Sequence, residues 1–392
     1  MSLNESRSVI ISCYNFCCLK ISHIHFTFAT CFIYSAIEAN RKALGSIRST
    51  KEGGAIVPSR IGIPYYSSNS SSNTSLDWSL FKPAAYYPPS LTLPLEPQND
   101  MIETKSQTNQ VPTISKENEV IMGLKVVSVR GDNPAKYGKP TVPATIMLLN
   151  SETGECSAVM GGTYLTAART AAGSAIATEL CLRRHSQHET LSIDHLVVFG
   201  AGLQGHAHIK ALEKVALIRK VTLINRTLER MQTLKRELTN IAHVETLLLD
   251  QSEGIRAAVK RASVIVTATN SATPLFQGCW VPSGCHLVSV GSYTPDMQEL
   301  DNTIVNRCQI IYDTPEALQV GDLKHLSPEN SQNLIGLLGD IMADPTLMES
   351  HRSADLDCTL FKSVGTAIQD VITAQAVLEK ARELGIGIEV QM

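Results

Sequence analysis

Apolar and polar positions along this chain follow two rhythms, and the change between them falls near residue 190. From Ser192 onward, short apolar runs of strand length alternate with helix-length segments. Leu196–Phe199 runs into Gly200-Ala201-Gly202-Leu203-Gln204-Gly205, then a helix-length stretch, then a second apolar run at Val221–Ile224. Strands are predicted next at Val244–Leu249, Ser263–Ala268, Cys285–Gly291 and, as the last, Gln309–Asp313. Helices at Leu228–Ile241 and Ser252–Lys260 separate the first of these. This is the pattern of an α/β fold with a doubly wound Rossmann sheet, placed at residues 189–342.

Ahead of that region the rhythm is that of hairpins. Strands are predicted at Val120–Val129, which carries Lys125, at Thr145–Asn150 and at Ala158–Met160, with a turn at Asn150–Glu155. Strands joined by tight turns before the first long helix imply a largely antiparallel sheet. That helix is predicted over Leu165–Arg184, with Thr166 as N-cap and Arg169 in its first turn. A cation there opposes the helix dipole, so its placement asks for an explanation, such as an anionic ligand. Earlier, Phe32–Arg48 has helical spacing and Ala55–Ile63 reads as a strand carrying Arg60.

Ser67–Ser75 (SSNSSSNTS) and five prolines between Pro83 and Pro97 mark residues 67–118 as a flexible surface insertion, with a short strand near Leu80–Ala84. Leu334–Met342 and Thr359–Arg382 read as helical. Gly365 lies inside the second, where glycine costs about 1 kcal/mol against alanine. Close packing on a ligand or another backbone would account for it, and Gly365 is placed among the cofactor-facing residues.

Composition adds exclusions. The 392 residues are enough for two domains; 43% are hydrophobic and the net charge is −3, with no basic excess to suggest nucleic acid. Residues 1–31 are apolar but interrupted by Lys20, His23 and His25, short of the ~18 apolar residues a membrane helix needs. No role is assigned to them. Cys13, Cys17, Cys18 and Cys31 lack paired metal-ligand spacing, so no metal is expected. The remaining cysteines read as small core residues in a reducing, cytoplasmic setting.

The glycine turn carries the first chemistry. In a strand–turn–helix, Gly200 permits the tight turn, Gly202 lets backbone amides approach a pyrophosphate, and Gly205 lets the helix lie close on the strand. At the end of the second strand stand Asn225, Arg226 and Thr227. An acid there would bind a ribose 2′-hydroxyl; this trio offers donors and a cation, so NADP(H) is expected over NAD(H). Thr267, Ala268 and Thr269, and Val290, Gly291 and Ser292, end strands on the same side and are expected to line the cofactor cleft.

Six ordered stretches together resemble the ornithine cyclodeaminase/mu-crystallin family. They are Pro58–Arg60, Gly123–Val129, Leu165–Thr178, Phe199–Gly205, Ser289–Asp301 and Leu360–Ala374, spanning the chain from about Ile33 to its end. The resemblance implies two domains: the Rossmann unit, and an α+β substrate and dimerisation domain built from residues 32–188 and 343–392. It implies hydride exchange at the Cα of a small amino or imino acid, in a homodimer. It also carries over Arg60, Lys125 and Arg169 as ligands of the substrate carboxylate, with Lys125 also catalytic. Arginine forks a carboxylate with parallel hydrogen bonds and lysine adds a point charge.

One departure matters. Where family cyclodeaminases carry an aspartate, in a pattern like GGDxPGKxEL, this chain has GSYTPDMQEL, with Tyr293 at that position. Without the carboxylate, activation of a distal amine loses its evident base. The expectation is a reductase of a cyclic ketimine, or the reverse amino-acid dehydrogenase. An ammonia lyase of the cyclodeaminase type and a non-catalytic NADPH and small-ligand binder remain as alternatives. Tyr293 can donate a proton or shape the pocket; Asp296 reads as a turn or helix-start residue.

Overall fold

The computed structural model describes residues 7–11, 24–47, 55–57, 61–65, 77–86, 120–184, 190–324, 326, 328–350 and 356–391. The first stretch of chain supplies β1 (Arg7–Ile11), α1 (Ile24–Gly45), β2 (Ala55–Ile56), β3 (Ile61–Tyr65), β4 (Asp77–Tyr86), β5 (Ile121–Val129), α2 (Asn133–Tyr137), β6 (Ala144–Leu149), β7 (Cys156–Gly161) and α3 (Thr163–Arg183). Burial alternates along β5 and β6 because one face of an antiparallel sheet meets the core.

Several expectations change here. The segment given no role contributes β1, which pairs with β7. The first helix begins at Ile24, ahead of the expected Phe32. Ala55–Ile63 is two strands, and residues 58–60, Arg60 among them, lie outside the described residues. The expected short strand near Leu80–Ala84 is the ten-residue β4, inside the sheet. Its Pro83 is tolerated because β3 pairs with 77–81 and β2 with 85–86, so the missing N–H falls in the gap between them. Most of the remaining insertion lies outside the described residues.

α3 starts at Thr163 with Gly162 as N-cap; Thr166 instead donates its hydroxyl to Gly162 O at 2.6 Å. Arg169 is therefore in the second turn, and the dipole argument for an anion weakens. Fourteen of the twenty-one residues of α3 are buried, as befits a helix enclosed on all sides.

The parallel unit follows: β8 (Ser192–Ile193), β9 (Leu196–Phe199), α4 (Leu203–Val215), β10 (Leu217–Ile218), β11 (Lys220–Asn225), α5 (Leu228–Glu237), β12 (His243–Leu248), α6 (Ser252–Val259), β13 (Val264–Thr267), β14 (His286–Ser289), α7 (Asn302–Val305), β15 (Cys308–Tyr312), β16 (Leu334–Leu337), α8 (Leu338–Ala343), α9 (Leu347–Ser350) and β17 (Cys358–Lys362). Its main sheet runs β12-β11-β9-β13-β14-β17-β15-β16, all parallel. The order reverses between β9 and β13, which is where such sheets bind ligands. β9, β13, β14 and β17 are buried throughout, as strands covered on both faces must be.

Two segments expected to be helical contribute strands. Leu334–Met342 divides into β16 and α8. Thr359–Arg382 divides into β17 and α10 (Ala367–Glu383), so the sheet extends past the boundary expected at 342. Two strands of this sheet thus follow Gln309–Asp313 in sequence. α10 and β18 (Ile388–Gln391) complete the antiparallel unit, whose sheet runs β18-β1-β7-β6-β5-β4-β2 with β3 also on β4.

α3 is the partition between the units. It packs on α4 on one side and on α1 and α10 on the other. One apolar cluster joins α1, α3, α4 and the facing side of the parallel sheet; a second lies between α10, α1 and the antiparallel sheet. Across the partition, His208 of α4 bonds Ser174 of α3 through Nε2 at 2.9 Å and Gln204 O through Nδ1 at 2.8 Å. Burial lowers its pKa to about 4, so it is neutral at physiological pH. Among the described residues no helix is long and apolar enough to cross a membrane.

Candidate active site

The three turn glycines have different reasons to be glycine. Gly200 has φ +107°, and a Cβ on it would collide with Ala268 O after β13. A Cβ on Gly205 would collide with Gly200 O, so its absence lets α4 close on the turn. A Cβ on Gly202 would meet nothing within 4 Å. Gly202 is the N-cap of α4, with no side-chain cap. The first-turn amides, those of Leu203 and Gln204 among them, and the positive dipole end therefore meet open space. Nearby, Gln204 Oε1 and Thr267 Oγ1 are buried without a hydrogen-bond partner. These groups fit a dinucleotide's phosphates and adjoining polar atoms.

Asn225, at the end of β11, turns its Nδ2 to Thr227 O at 3.2 Å. Arg226 and Thr227 are exposed, and no carboxylate occupies this strand end.

The next two strand ends are locked together. Glu299 is fully buried. It accepts Thr269 N at 2.6 Å, Thr269 Oγ1 at 2.7 Å and Gly291 N at 2.8 Å. Val290 is buried, and Ser292 turns its hydroxyl inward to Asp322 Oδ2 at 2.6 Å. What this loop can offer a ligand is therefore mostly backbone. Lys362, at the end of β17, is fully buried; it donates to Ser292 O at 2.7 Å and Ser289 Oγ at 3.0 Å and lies 3.5 Å from Asp322. Burial acts to raise the Asp322 pKa, but Lys362 and the Ser289, Ser292 and Leu300 donors outweigh it and lower it. Tyr293 is largely buried, which raises its hydroxyl pKa, and no hydrogen bond joins that hydroxyl to the described residues.

Two of the cations expected on the substrate side, Lys125 and Arg169, meet on one acid. Asp370 of α10, fully buried, binds Arg169 Nε through Oδ1 at 2.8 Å and Lys125 Nζ through Oδ2 at 2.6 Å. Lys82 stands 4.0 Å from the same Oδ2 and donates to Gly365 O at 3.2 Å. Lys82 lies directly opposite Lys125 on neighbouring strands, a like-charge pairing that a shared carboxylate relieves. Burial opposes ionisation of Asp370, but Arg169, Lys125 and Lys82 overcome it and hold its pKa at about 2.

Arg169 Nη1 reaches Gln369 Oε1 at 3.3 Å, and Gln369 is itself tied to Asn40 at 2.8 Å. Arg169 Nη2 has no hydrogen-bond partner among the described residues.

Gly365 is not in a helix. It lies between β17 and α10 with φ +76°, and a Cβ there would stand 2.6 Å from Arg169 Cζ and nearer still to both Nη atoms. The expected close approach is real, but its object is the guanidinium. Asp313, after β15, fixes the loop by accepting Ser363 Oγ at 2.8 Å, Gly365 N at 2.8 Å and Val364 N at 3.2 Å.

These contacts put both halves of the site on one edge. Gly200 abuts Ala268, Gly291 abuts Thr269, Ser292 is bonded to Lys362, and Gly365 abuts Arg169. Strands lie roughly 4.8 Å apart, so β9 to β17 is about 14 Å. The three-residue step from Lys362 to Gly365 adds at most about 10 Å.

Sequence reasoning missed Lys82, Asp313, Asp322, Glu299, Lys362 and Asp370. A signal for Asp370 was present. Thr366 and Gln369 form a capping box, with Thr366 N donating to Gln369 Oε1 at 3.0 Å. The Thr-x-x-Gln spacing starts the helix at Ala367 and leaves Asp370 as an acid among Ile368, Val371 and Ile372.

Comparisons agree with this architecture. The family model described as ornithine cyclodeaminase/mu-crystallin matches residues 93–385. A Delta(1)-pyrroline-2-carboxylate reductase of Colwellia psychrerythraea is 35% identical over 268 residues, 67% of this chain and 81% of that protein. An alanine dehydrogenase of Archaeoglobus fulgidus is 31% identical, over 69% of this chain and 80% of its own. The structure of Thermococcus litoralis Delta(1)-pyrroline-2-carboxylate reductase with NADH and L-proline aligns with TM-score 0.71 and 26% identity, covering 97% of this chain and all of that one. With its glycine turn, its paired cations and its two-unit fold, the chain belongs to the ornithine cyclodeaminase/mu-crystallin family.

Proposed function

We propose that this protein is a nicotinamide-dependent reductase of a small cyclic imino acid, also able to run the reverse oxidation of the amino acid. The observation that carries the reading is the convergence of Arg169 and Lys125 on Asp370, at the same sheet edge as the open glycine turn. The names of the relatives support it: reductases of pyrroline-2-carboxylate and an alanine dehydrogenase act on the carbon–nitrogen bond of small acids.

When bound, the reduced nicotinamide supplies hydride to the imine carbon. The chain's task is to hold that carbon still and to manage the proton. Asp370 aims Arg169 by its Nε, so Nη2 faces the substrate carboxylate; Lys125 adds charge beside it. Arg60 is proposed as the third carboxylate ligand. Fixing the acid end orients the C=N unit and removes rotational freedom before reaction. The imine nitrogen needs one proton. Lys125 and Tyr293 are the proposed donors, and the raised pKa of Tyr293 keeps its hydroxyl protonated at neutral pH.

A lyase reading lacks its base, because Tyr293 stands where a carboxylate would be needed and Asp296 is exposed. The exposed Arg226 beside Asn225 and Thr227 favours the 2′-phosphate of NADPH. The other proposed cofactor contacts are the amides of Leu203 to Gly205 and the strand ends Thr267–Thr269 and Val290–Ser292. A cytoplasmic homodimer is proposed from the family likeness. The test is consumption of NADPH and of NADH with five- and six-membered cyclic imino acids, beside ammonia release from ornithine. Ammonia without net cofactor consumption, or no turnover of any imine, overturns the reading.

A further inference from the structure

Glu299 has no part in the chemistry above, yet its carboxylate is the only group among the described residues bonded to both cofactor-facing loops. Thr269 follows β13 and Gly291 follows β14. Oε1 takes two donors from Thr269, and Oε2 takes the Gly291 amide. The packing leaves no slack: a Cβ on Gly291 would stand 2.5 Å from Glu299 Oε1 and collide with Thr269 O. The charged groups facing Glu299 are Asp322, whose Oδ1 accepts the Glu299 and Leu300 amides at 2.7 and 2.9 Å, and Lys362 beyond it. Asp301, two residues along, is engaged elsewhere, with Gly278 N and Ile304 N.

Three donors on two oxygens suit a carboxylate, whose charge strengthens each bond. The neutral acid keeps acceptor sites for them but loses that charge. Oε1 already takes two donors, so the proton falls on Oε2, and the bond that weakens most is the one to the Gly291 amide. That amide's other acceptor is Thr267 O at 3.3 Å.

We propose that Glu299 is a positioning residue for cofactor binding: ionised, it holds the Thr269 and Gly291 backbones at the spacing the nicotinamide end requires, and on protonation its hold on the Gly291 side weakens, so that cofactor affinity falls in acid. The proposal rests on the reductase reading in taking these loops as cofactor walls. Burial and Asp322 raise the carboxyl pKa to about 7, against the pull of Thr269 and Lys362, which puts the transition in an accessible range. For such a group the ionised fraction falls roughly tenfold between pH 8 and pH 6.

The experiment is equilibrium titration of the whole protein with NADH by fluorescence from pH 8 to pH 6, without turnover. NADH is used because it lacks the 2′-phosphate of NADPH, which titrates near pH 6. The wild-type Kd should rise about tenfold over that range. Glu299→Gln should bind more than about tenfold more weakly at pH 8 and show no pH dependence. Thr269→Val removes one donor that favours the ionised form while keeping both backbone contacts, so its midpoint should move to higher pH. A purely structural Glu299 would not move that midpoint. A wild-type Kd that is flat with pH, a Glu299→Gln protein that titrates like wild type, or an unmoved midpoint in Thr269→Val overturns the inference alone. Failure of the wild type to bind NADH or NADPH at any pH overturns the cofactor reading and this inference with it.

Discussion

Replacing Gly365 with alanine separates the substrate half of the site from the cofactor half. The new Cβ would stand 2.6 Å from Arg169 Cζ, where ordinary contact begins at 3.4 Å. The guanidinium must therefore retreat by at least 0.8 Å (3.4 less 2.6), or the loop must move. Asp313 holds the loop by the Gly365 and Val364 amides, so the arginine is the softer partner. A displacement of about 1 Å in a positioning group can cost roughly 100-fold in rate, which is about 3 kcal/mol of transition-state binding. The backbone adds about 1–2 kcal/mol of strain, because φ is +76°.

Steady-state kinetics and cofactor titration give the readout. In Gly365→Ala, kcat/KM for the imino acid should fall about 100-fold, while the Kd for NADPH stays within about twofold. In an Arg169→Ala background the glycine change should add almost nothing to the loss, since it acts through the arginine. Unchanged kcat/KM would refute Arg169 as the carboxylate anchor. A defect confined to cofactor binding would return Gly365 to the other half of the site.

Gly202→Ala should leave thermal stability unchanged, because its Cβ meets open space, yet weaken NADPH binding at least about tenfold in a direct titration. Gly205→Ala, whose Cβ would collide with Gly200 O, should lower the unfolding temperature. Arg226→Ala should raise the Kd for NADPH roughly tenfold and leave that for NADH alone, one charge-assisted contact being worth about that much. Asp370 gives an acid signature. Its pKa is lowered from 3.8 to about 2, so its stabilisation is present above pH 4 and is lost as pH falls through 2. The linkage amounts to about 2 kcal/mol. Urea midpoints followed from pH 5 to pH 2 should show this loss in the wild type, and the component should be missing in Asp370→Asn. That variant should also be less stable by about 3–5 kcal/mol at neutral pH, having removed the acid shared by three buried cations.

What could be read along the chain was whatever depends on near neighbours. The glycine turn is legible because two of its glycines answer to atoms at most five positions away or on the adjoining strand. The parallel strands are legible because burial on both faces makes them continuously apolar. Asp370 was not legible as the hub, because its partners Arg169 and Lys125 lie 201 and 245 positions earlier (370 less 169 and 370 less 125), on other elements. Lys82 was hidden in a proline-bearing segment whose strand survives only because two short partners leave Pro83 a gap. Arg169 was singled out both by the family resemblance and by a helix-dipole argument, and the helix start removes the second.

The most consequential misreading was that of Thr359–Arg382 as one helix, and it bears on how the site works. Helical periodicity fits TLFK as well as it fits the true helix, so a strand of the parallel sheet and a helix of the antiparallel unit merged into one element. The chain crosses between the two units in those few residues. Lys362 closes the cofactor loop, Asp313 grips Ser363 and Gly365, Gly365 presses on Arg169, and Asp370 orients Arg169 and Lys125. Nine residues (362 to 370) thus touch the proposed cofactor wall at one end and the proposed substrate clamp at the other. A shift between the units would change the hydride distance unless this crossover were stiff. That is a physical reason for its buried ionic ties at both ends and its glycine pressed against an arginine, where an ordinary connecting loop would have been enough to join a strand to a helix.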